Sequence, residues 1–456
     1  MVLATAYMRR TNTVVPDLDR RARQHIEVGY QRLLGFEVPG EPGGFDWWGK
    51  PPANLFLTAY ALLEFHAMAE VHPVDPALLA RIQAWLLAHQ QADGSWSPAG
   101  VKATWSADFA RGRSHVLTAY VAWGLARAGA PSAKAQAWLE AHADATRDPY
   151  AVALTALALL TADRSHPVGR ALVDRLVGLA SPDERGVRWL PESDTNIGAR
   201  GTSAEIETTS LATLALLADG RHAGLSSRAL DRLLSWRGAD GRFGTTQSTI
   251  LALEALLADA GAASGPGDVT IDDGRGGGRT VPVDAGTVEP LHFDLGAGDA
   301  GPVALTVRGE ARVRATVSRT SWVPWDRSRE RRGRLALEVA WPAEVLTVGP
   351  RYDATVTVSN PTAKTASAVT LEIGIPPGCD VEPDEVRGDG FERAERAETA
   401  VVLYLRDLPG GESRTFRIGF RPRYAIDVVT APSKAYEYYV PEEAAEVGPR
   451  RVRARR

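Results

Sequence analysis

The sequence predicts a multidomain protein in which an α/α toroid is followed by a partial β module and a C-terminal antiparallel β-sandwich. Three observations predict it: a repeating run of amphipathic helices, a change to Gly- and Asp-rich sequence after Gly261, and alternating strands from Leu335 onward. The chain has 456 residues, and roughly 150 residues per domain favours about three domains. The predicted parts are 1–260, 261–332, 333–445 and a basic tail at 446–456.

The helical part is predicted to fill residues 17–260. Apolar residues spaced by three and four indicate helices with one buried face. Such stretches occur at 55–68, 78–89, 116–128, 151–160, 171–179, 210–217 and 249–257. Pro76, Pro131 and Pro167 precede helical runs, where a missing backbone N–H has no cost. We count about ten helices and a stub at 2–10, whereas a toroid of six helix pairs needs twelve.

Two short motifs recur among these helices. Leu-Thr-Ala-Tyr at 57–60 recurs at 117–120, and loosely at 154–157 and 211–214. A Trp-bearing helix with an Asp-Gly turn and an aromatic residue occurs at 85–96 and again at 236–243. Repeated helix pairs bury their common face against their neighbours, and a closed ring of such pairs has no exposed end. The repeats therefore predict the toroid.

Strands replace helices in the second half of the chain. Residues 261–300 are dense in Gly and Asp, and alternating sequence predicts short strands at 303–307 and 311–317. Further strands with turns between them indicate a β-sandwich of about 120 residues. These are predicted at 335–339, 354–358, 369–375, 401–405 and 414–420. The tail at 449–456 contains five arginines and is interpreted as a solvated terminus.

The composition excludes several classes of function. Apolar residues make up 44% of the chain, and 52 Lys and Arg stand against 56 Asp and Glu, so no basic surface for nucleic acid is predicted. The longest nearly uncharged apolar run, at 150–162, is shorter than the roughly 20 residues of a membrane span. Residues 1–8 are followed by Arg9 and Arg10, which is the reverse of a signal peptide. Either the protein is cytoplasmic or its true N-terminus is missing.

No catalytic, cofactor-binding or metal-binding residue is predicted. Cys379 is the only cysteine, which excludes disulfides within the chain and Cys-rich zinc sites. The nine histidines show no His-x-x-x-His or Glu-x-x-His spacing on one helix face. Cys379 follows Pro-Pro-Gly at 376–378 and is interpreted as a semi-buried small residue, because no His or cationic helix end is evident to lower its pKa.

One turn leaves an enzymatic alternative open. Gln90, Gly94 and Trp96 are spaced as in the Gln-Trp repeat of terpene cyclases, which this turn resembles. Such cyclases protonate their substrate from an Asp-rich cluster, and residues 1–260 contain no closely spaced aspartates that suit this role. The interpretation favoured here is structural, with the turn bracing a loop on a helix end.

Several segments together resemble one family. In the helical part they are 29–34, 44–60, 204–209 (Ala-Glu-Ile-Glu-Thr-Thr) and 243–249 (Phe-Gly-Thr-Thr-Gln-Ser-Thr). In the β part they are 360–362, 371–378, 401–405 and 435–439 (Ala-Tyr-Glu-Tyr-Tyr). The first set resembles the thioester-containing domain of the alpha-2-macroglobulin family, and the second resembles that family's receptor-binding sandwich. The segments occur in the family's order over nearly the whole chain, and the bacterial members are the most similar.

The resemblance implies a protease trap, which is an endopeptidase inhibitor without catalysis of its own. In the family a protease cuts a bait segment, the molecule closes around it, and a thioester between the Cys and Gln of Cys-x-Glu-Gln acylates the attacker. No Cys precedes Cys379, and Glu-Gln occurs nowhere, so the motif is expected just upstream of Met1. The implied partners are proteases or upstream macroglobulin domains, and the implied location is the periplasm or the cell exterior.

Two departures from the family qualify this implication. The family's toroid is inserted into a CUB-type sandwich, and only the second half of that sandwich is present, at 266–326. The lysines on which receptor binding relies in animal relatives are absent from 383–396. We therefore expect a C-terminal piece of a longer protein. The alternatives are a genuine short protein that acts as a non-inhibitory interaction module, or an α/α-toroid enzyme such as a cyclase or lyase.

Overall fold

The computed structural model describes most of the chain and divides it as the sequence predicts. Helices occupy the first part, with one short hairpin among them, and strands follow. The described residues are 1–10, 14–97, 114–238, 241–259, 265–272, 278–284, 302–311, 313, 315, 317 and 330–456.

Eleven helices lie within the described residues, and they include every helix that the sequence predicts. The prediction at 210–217 differs most, because that helix begins at Gly201. The helices are α1 (Val2–Arg10), α2 (Pro16–Leu34), α3 (Leu55–Ala69), α4 (Pro76–Ala88), α5 (Ser114–Arg127), α6 (Ala133–Ala141), α7 (Pro149–Ala162), α8 (Pro167–Leu179), α9 (Gly201–Asp219), α10 (Ala223–Ser235) and α11 (Thr246–Asp259).

Alternate helices form the inner wall of a closed ring. Helices α3, α5, α7, α9 and α11 pack side by side in that order, and α1 closes the ring by packing against both α11 and α3. The stub predicted at 2–10 is therefore the sixth inner helix. The remaining helices α2, α4, α6, α8 and α10 lie outside this wall, so the described part of the ring has six inner and five outer helices.

A repeated hydrogen bond explains the recurring threonines. In four loops the backbone N–H of a buried aromatic residue donates to a threonine hydroxyl on the next inner helix. The pairs are Phe45 with Thr58 (2.9 Å), Trp96 with Thr118 (2.9 Å), Trp189 with Thr209 (3.1 Å) and Phe243 with Thr249 (2.9 Å). A buried N–H without a partner is costly, so each threonine stabilises the insertion of its aromatic residue.

The repeat alignment at 211–214 is shifted by one helical turn. The threonine that binds the inserted aromatic residue there is Thr209, whereas the Thr213 hydroxyl donates to the carbonyl oxygen of Thr209 in its own helix (2.7 Å). The Gln90 side chain donates to the carbonyl oxygen of Gly94 (2.9 Å) and to the Ser132 hydroxyl (2.9 Å), which caps α6. The Gln-Trp turn therefore braces a loop against the next helix, as the structural interpretation predicts.

A small sheet follows the ring. Strands β1 (Ser181–Asp183) and β2 (Gly186–Arg188) form the short hairpin between α8 and α9, and β2 packs against the outer helix α10. Strands β3 (Gly267–Asp272), β4 (Arg279–Val283) and β5 (Ala304–Gly309) form an antiparallel sheet in the order β4-β3-β5. Strand β5 corresponds to the prediction at 303–307. Residues 312, 314 and 316 of the strand predicted at 311–317 lie outside the described residues.

The C-terminal β-domain is a sandwich of a four-stranded sheet and a five-stranded sheet. Buried residues from both sheets, such as Val356, Leu371, Leu403 and Phe416, form one core. The strands are β6 (Ala336–Ala340), β7 (Val345–Thr347), β8 (Tyr352–Ser359), β9 (Ala366–Gly374), β10 (Cys379–Asp380), β11 (Arg393–Arg396), β12 (Ala400–Leu408), β13 (Ser413–Pro422), β14 (Ile426–Val429), β15 (Ser433–Glu437), β16 (Ala445–Val447) and β17 (Arg451–Arg455). The four-stranded sheet has the order β10-β13-β8-β6, and the five-stranded sheet has the order β11-β12-β9-β15-β16.

The prediction of a solvated terminus at 449–456 is wrong. Residues 451–455 form β17, which pairs antiparallel with β14 and parallel with β7. Val452 and Ala454 are buried, whereas Arg451 faces outward and pairs with Asp427 (2.6 Å). Arginines alternate with small apolar residues here, and this period of two matches a half-buried strand. The β-domain therefore extends past the predicted boundary at 445.

Candidate functional site

The first turn of α9 is the place where the ring touches the β-domain. The Arg200 guanidinium donates to the Glu437 carboxylate (Nη2 to Oε2, 2.6 Å). The backbone N–H of Ser203 points to the carboxylate of Glu442 (3.4 Å). Two residues of one β-domain segment, Glu437 and Glu442, thus meet the ring at the start of a single inner helix, and Tyr439 between them packs against the apolar core of the ring.

Glu437 joins three segments of the chain. It ends strand β15 and is only 6% exposed. Its Oε2 accepts hydrogen bonds from Arg200 and from Nη1 of Arg334, and its Oε1 accepts one from the backbone N–H of Ser367 (2.9 Å). Charge-assisted hydrogen bonds to a carboxylate are stronger than neutral ones. One buried carboxylate therefore holds two guanidinium groups, one from the ring and one from the segment that enters the β-domain.

Glu442 caps α9 from another domain. The N-cap residue of α9, Arg200, makes no side-chain capping bond, so the first N–H groups of the helix need outside acceptors. The Glu442 carboxylate lies at the N–H of Ser203, and a Cβ at Gly201 would lie 3.0 Å from its Oε1. A negative charge is favourable at a helix N-terminus. Burial nevertheless raises the pKa of Glu442, with the N–H of Ser203 among the groups that act in the opposite direction.

The tyrosines of the 435–439 motif have separate contacts. The Tyr436 hydroxyl donates to the Glu372 carboxylate on the neighbouring strand (2.6 Å). Tyr438 is partly exposed and stacks edge-on against Tyr439, with the ring centroids 5.1 Å apart. Of the three tyrosines, Tyr439 packs against the core of the ring. The motif therefore supplies one aromatic contact and one ionic contact, Tyr439 and Glu437, to the same interface.

A second polar group lies two turns further along α9. Glu207 is completely buried, and burial raises its pKa to about 8, against a smaller opposite effect of the Thr195 hydroxyl. Its carboxyl group is therefore protonated and neutral near pH 7. His115 at the start of α5 has the opposite shift, since burial lowers its pKa to about 4, and its Nε2 lies 2.9 Å from the Thr155 hydroxyl. Both groups are neutral inside the ring.

Cys379 lies in the β-domain and far in sequence from the ring. It is buried at the start of β10, and burial together with Asp380 raises the pKa of its thiol to about 11. A protonated, buried thiol is a poor nucleophile. In the described part of the chain no group of three or more His, Cys, Asp or Glu side chains is arranged to hold a metal ion, and none of the described helices combines the length and apolarity of a membrane span.

The sequence draws attention to the 435–439 motif but not to the residues that it contacts. Arg200 and Glu437 are 237 positions apart in the chain, and Arg334 and Glu442 belong to no recognisable motif. No local pattern marks such partners, because they become neighbours only when the domains pack.

Comparisons with known proteins agree on both parts of the chain. The family model of the A-macroglobulin TED domain matches residues 1–258, and that of the A-macroglobulin receptor binding domain matches residues 364–448. Complement C3 of Oncorhynchus mykiss is 29% identical over 275 residues, which are 56% of this chain and 16% of that protein. The matched region is thus a small fraction of this relative.

Solved structures show the same fold. Native alpha-2-macroglobulin of Escherichia coli, solved from domain MG7 to the C-terminus, superimposes with a TM-score of 0.66 at 14% identity, over 96% of this chain and 68% of that one. Salmonella alpha-2-macroglobulin reacted with methylamine gives a TM-score of 0.65 at 15% identity, over 96% of this chain and 28% of that one.

Proposed function

Because this chain belongs to the alpha-2-macroglobulin (A-macroglobulin) family, as its sequence motifs indicate, we propose that it serves as the C-terminal portion of a protease trap. In this proposal it is an endopeptidase inhibitor component that performs no catalysis. The observation that carries the proposal is the contact at α9, where Glu437, Tyr439 and Glu442 hold a receptor-binding-type sandwich against a thioester-domain-type ring.

A β-domain seated on the ring supports this proposal. A reactive acyl group on the ring must be kept from water until the target arrives, and a second domain seated on the ring can provide that cover. The chain's own residues supply cover and position only. Acyl transfer needs an activated carbonyl and a nucleophile, and the one thiol, Cys379, is protonated and buried in the β-domain.

The small sheet supports a role joined to further domains. Val269, Val281 and Val307 are paired across β3, β4 and β5 and therefore share one face. On that face Leu305 and Val307 of β5 are 38% and 37% exposed, whereas Val269 of the central strand β3 is buried. Half of a sandwich leaves part of such a face uncovered. We propose that strands of upstream domains cover it, that the other partners are proteases, and that the whole protein works in the periplasm or outside the cell.

Inhibition of large but not small substrates tests the proposal. A protease enclosed by a trap keeps its active site but is shielded from large substrates. We expect the product of the complete reading frame, mixed with an endopeptidase, to suppress cleavage of a protein substrate while sparing cleavage of a short chromogenic peptide. The 456-residue chain by itself is expected to change neither rate.

Equal suppression of the cleavage of both substrates would indicate an ordinary active-site inhibitor, and suppression of neither would favour the interaction-module alternative.

Methylamine or a protease should form no covalent adduct with the chain alone, which mass spectrometry checks. A protease-dependent adduct that survives boiling in detergent would contradict the assignment of a purely covering role.

A further inference from the structure

We propose that the short segment at 330–334, called here the linker, controls whether the β-domain stays seated on the ring. The linker follows the small sheet and leads into β6. It does not itself bind α9. Instead Arg331 and Arg334 hold the two acidic residues that do, so that moving the linker releases the ring. This inference concerns the chain's own domains and stands independently of protease trapping.

Two of the three arginines of the linker, Arg331 and Arg334, each contact one residue of the interface. The Arg334 guanidinium donates to the carboxylate of Glu437, on the same oxygen that binds Arg200 of the ring. The Arg331 guanidinium donates to the backbone carbonyl of Glu442, whose carboxylate caps α9. Both β-domain residues that form polar contacts with the start of α9 are thus also held by the linker.

The linker is fitted closely against the β-domain. Backbone hydrogen bonds join Arg331 and Glu446 in both directions (3.0 and 2.8 Å), and the N–H of Arg334 donates to Glu443 (3.1 Å). Between these two arginines, a Cβ at Gly333 would lie 2.2 Å from the carbonyl oxygen of Glu443 and 2.3 Å from the backbone nitrogen of Ala445. No side chain fits there without moving the backbone. Glycine at 333 is therefore required for the seated position of the linker.

The charges make the seated position cooperative. Arg200 and Arg334 share one carboxylate, and their side chains are largely buried. If Glu437 lost its charge, two cations would face each other without a counter-ion, which is strongly unfavourable in a partly buried site. If the linker moved away, Glu437 would lose one of its charged partners and Glu442 would lose the donor that positions it. Either change weakens the contact between the β-domain and α9 through residues that lie outside the ring.

Amide hydrogen exchange at Ser203 measures the contact in the full chain, because its N–H is free once Glu442 leaves. We expect Gly333→Ala, which displaces the linker without altering a charge or touching the ring, to speed exchange at Ser203 about tenfold, equivalent to about 1.4 kcal/mol. Arg334→Gln should act in the same direction. Gly224→Ala, at a site on α10 with no atom near the added methyl group, is the matched control and should leave the rate unchanged.

Asp427→Asn is the control for charge, because it removes a carboxylate that pairs with Arg451 inside the β-domain. Glu437→Gln should speed exchange at Ser203 at least as much as Arg334→Gln, and Arg200→Gln tests the same contact from the ring if the β-domain variants misfold. Unchanged exchange at Ser203 in Gly333→Ala and Arg334→Gln, with acceleration in Glu437→Gln or Arg200→Gln, would overturn control by the linker. Unchanged exchange in all of them would overturn the ionic contact as well.

Discussion

The helical ring and the three-stranded sheet that follows it both carry apolar faces, but they bury those faces to different extents. In the ring, six inner helices each pack against two others, and the last returns to the first. In the sheet, β3 has a partner on each side, yet Leu305 and Val307 of β5 stay more than one-third exposed. The difference shows that an apolar face is fully buried only where another element packs against it, which the ring achieves by closing on itself.

Closure also permits the ring to bury polar groups that an open sheet would leave in water. Thr58, Thr118 and Thr209 are completely buried, and each accepts the N–H of an inserted aromatic residue. On the sheet the Thr270 and Thr280 hydroxyls pair with each other on the solvent side (2.9 Å). Perturbations of the ring should therefore be costly and those of the sheet mild.

The largest effect is expected for Trp189→Ala in the ring. The Trp189 side chain is fully buried and its Nε1 donates to the carbonyl of Leu176 (2.7 Å). Its removal leaves a cavity and an unpaired carbonyl, which should lower the free energy of unfolding by about 3–5 kcal/mol. Denaturation followed by the helical circular dichroism signal measures this. Trp48→Ala, at a side chain 42% exposed, should cost far less, and equal losses would contradict the packing argument.

The next effect concerns pH. The pKa of Glu207 is raised to about 8 in the folded ring, so folding binds a proton and stability falls as pH rises toward 8. The pKa of His115 is lowered to about 4, which gives the opposite slope below its ordinary value of 6.5. The contributions of these two groups should nearly cancel from about pH 4.5 to 6.5, and Glu207 should lower the free energy of unfolding by about 2 kcal/mol from pH 6.5 to 8.

Glu207→Gln removes one of these two slopes and keeps the shape of the side chain. Its unfolding free energy should stay constant between pH 6.5 and 8 and exceed that of the natural chain at pH 8. The check is a series of denaturant titrations across this range. A fall in stability that survives in Glu207→Gln would assign the pH dependence to another group.

A smaller loss is expected for Thr209→Val. This change removes the acceptor for the N–H of Trp189 at constant side-chain volume, and an unsatisfied buried donor costs about 1–2 kcal/mol. Thr213→Val is the matched control one turn away, because the Thr213 hydroxyl bonds only within its own helix, and it should cost less. If denaturant titrations showed a larger loss of stability for Thr213→Val than for Thr209→Val, the repeat alignment at 211–214 would be correct.

The smallest effect is expected in the sheet. Val307→Thr places a hydroxyl on the exposed apolar face and should change the unfolding free energy of the isolated chain by no more than about 0.5 kcal/mol. The backbone amides of β3 should also exchange faster than those of α7 in the ring. A loss above about 1 kcal/mol, or equal protection of β3 and α7, would mean that the chain covers this face by itself.

Local pattern predicts much of this fold because helix and strand periods depend on neighbouring residues. The helix at 149–162 and five strands of the β-domain, β6, β8, β9, β12 and β13, are present where that pattern places them. The tail at 451–455 was misinterpreted because five arginines hide an alternation that only pairing with β14 and β7 makes significant. The sequence predicts only a stub at 2–10, because the closing helix of a ring is identified by its neighbours and not by its own sequence.

The candidate site divides along the same line. The motif at 435–439 is visible in the sequence, and so is the absence of a second cysteine. The choice of Arg200 and Arg334 as partners of Glu437, and the capping of α9 by Glu442, were decided by tertiary structure. Hydrogen bonds and ion pairs act over a few ångströms in space, so residues hundreds of positions apart acquire these roles only when the ring and the β-domain pack together.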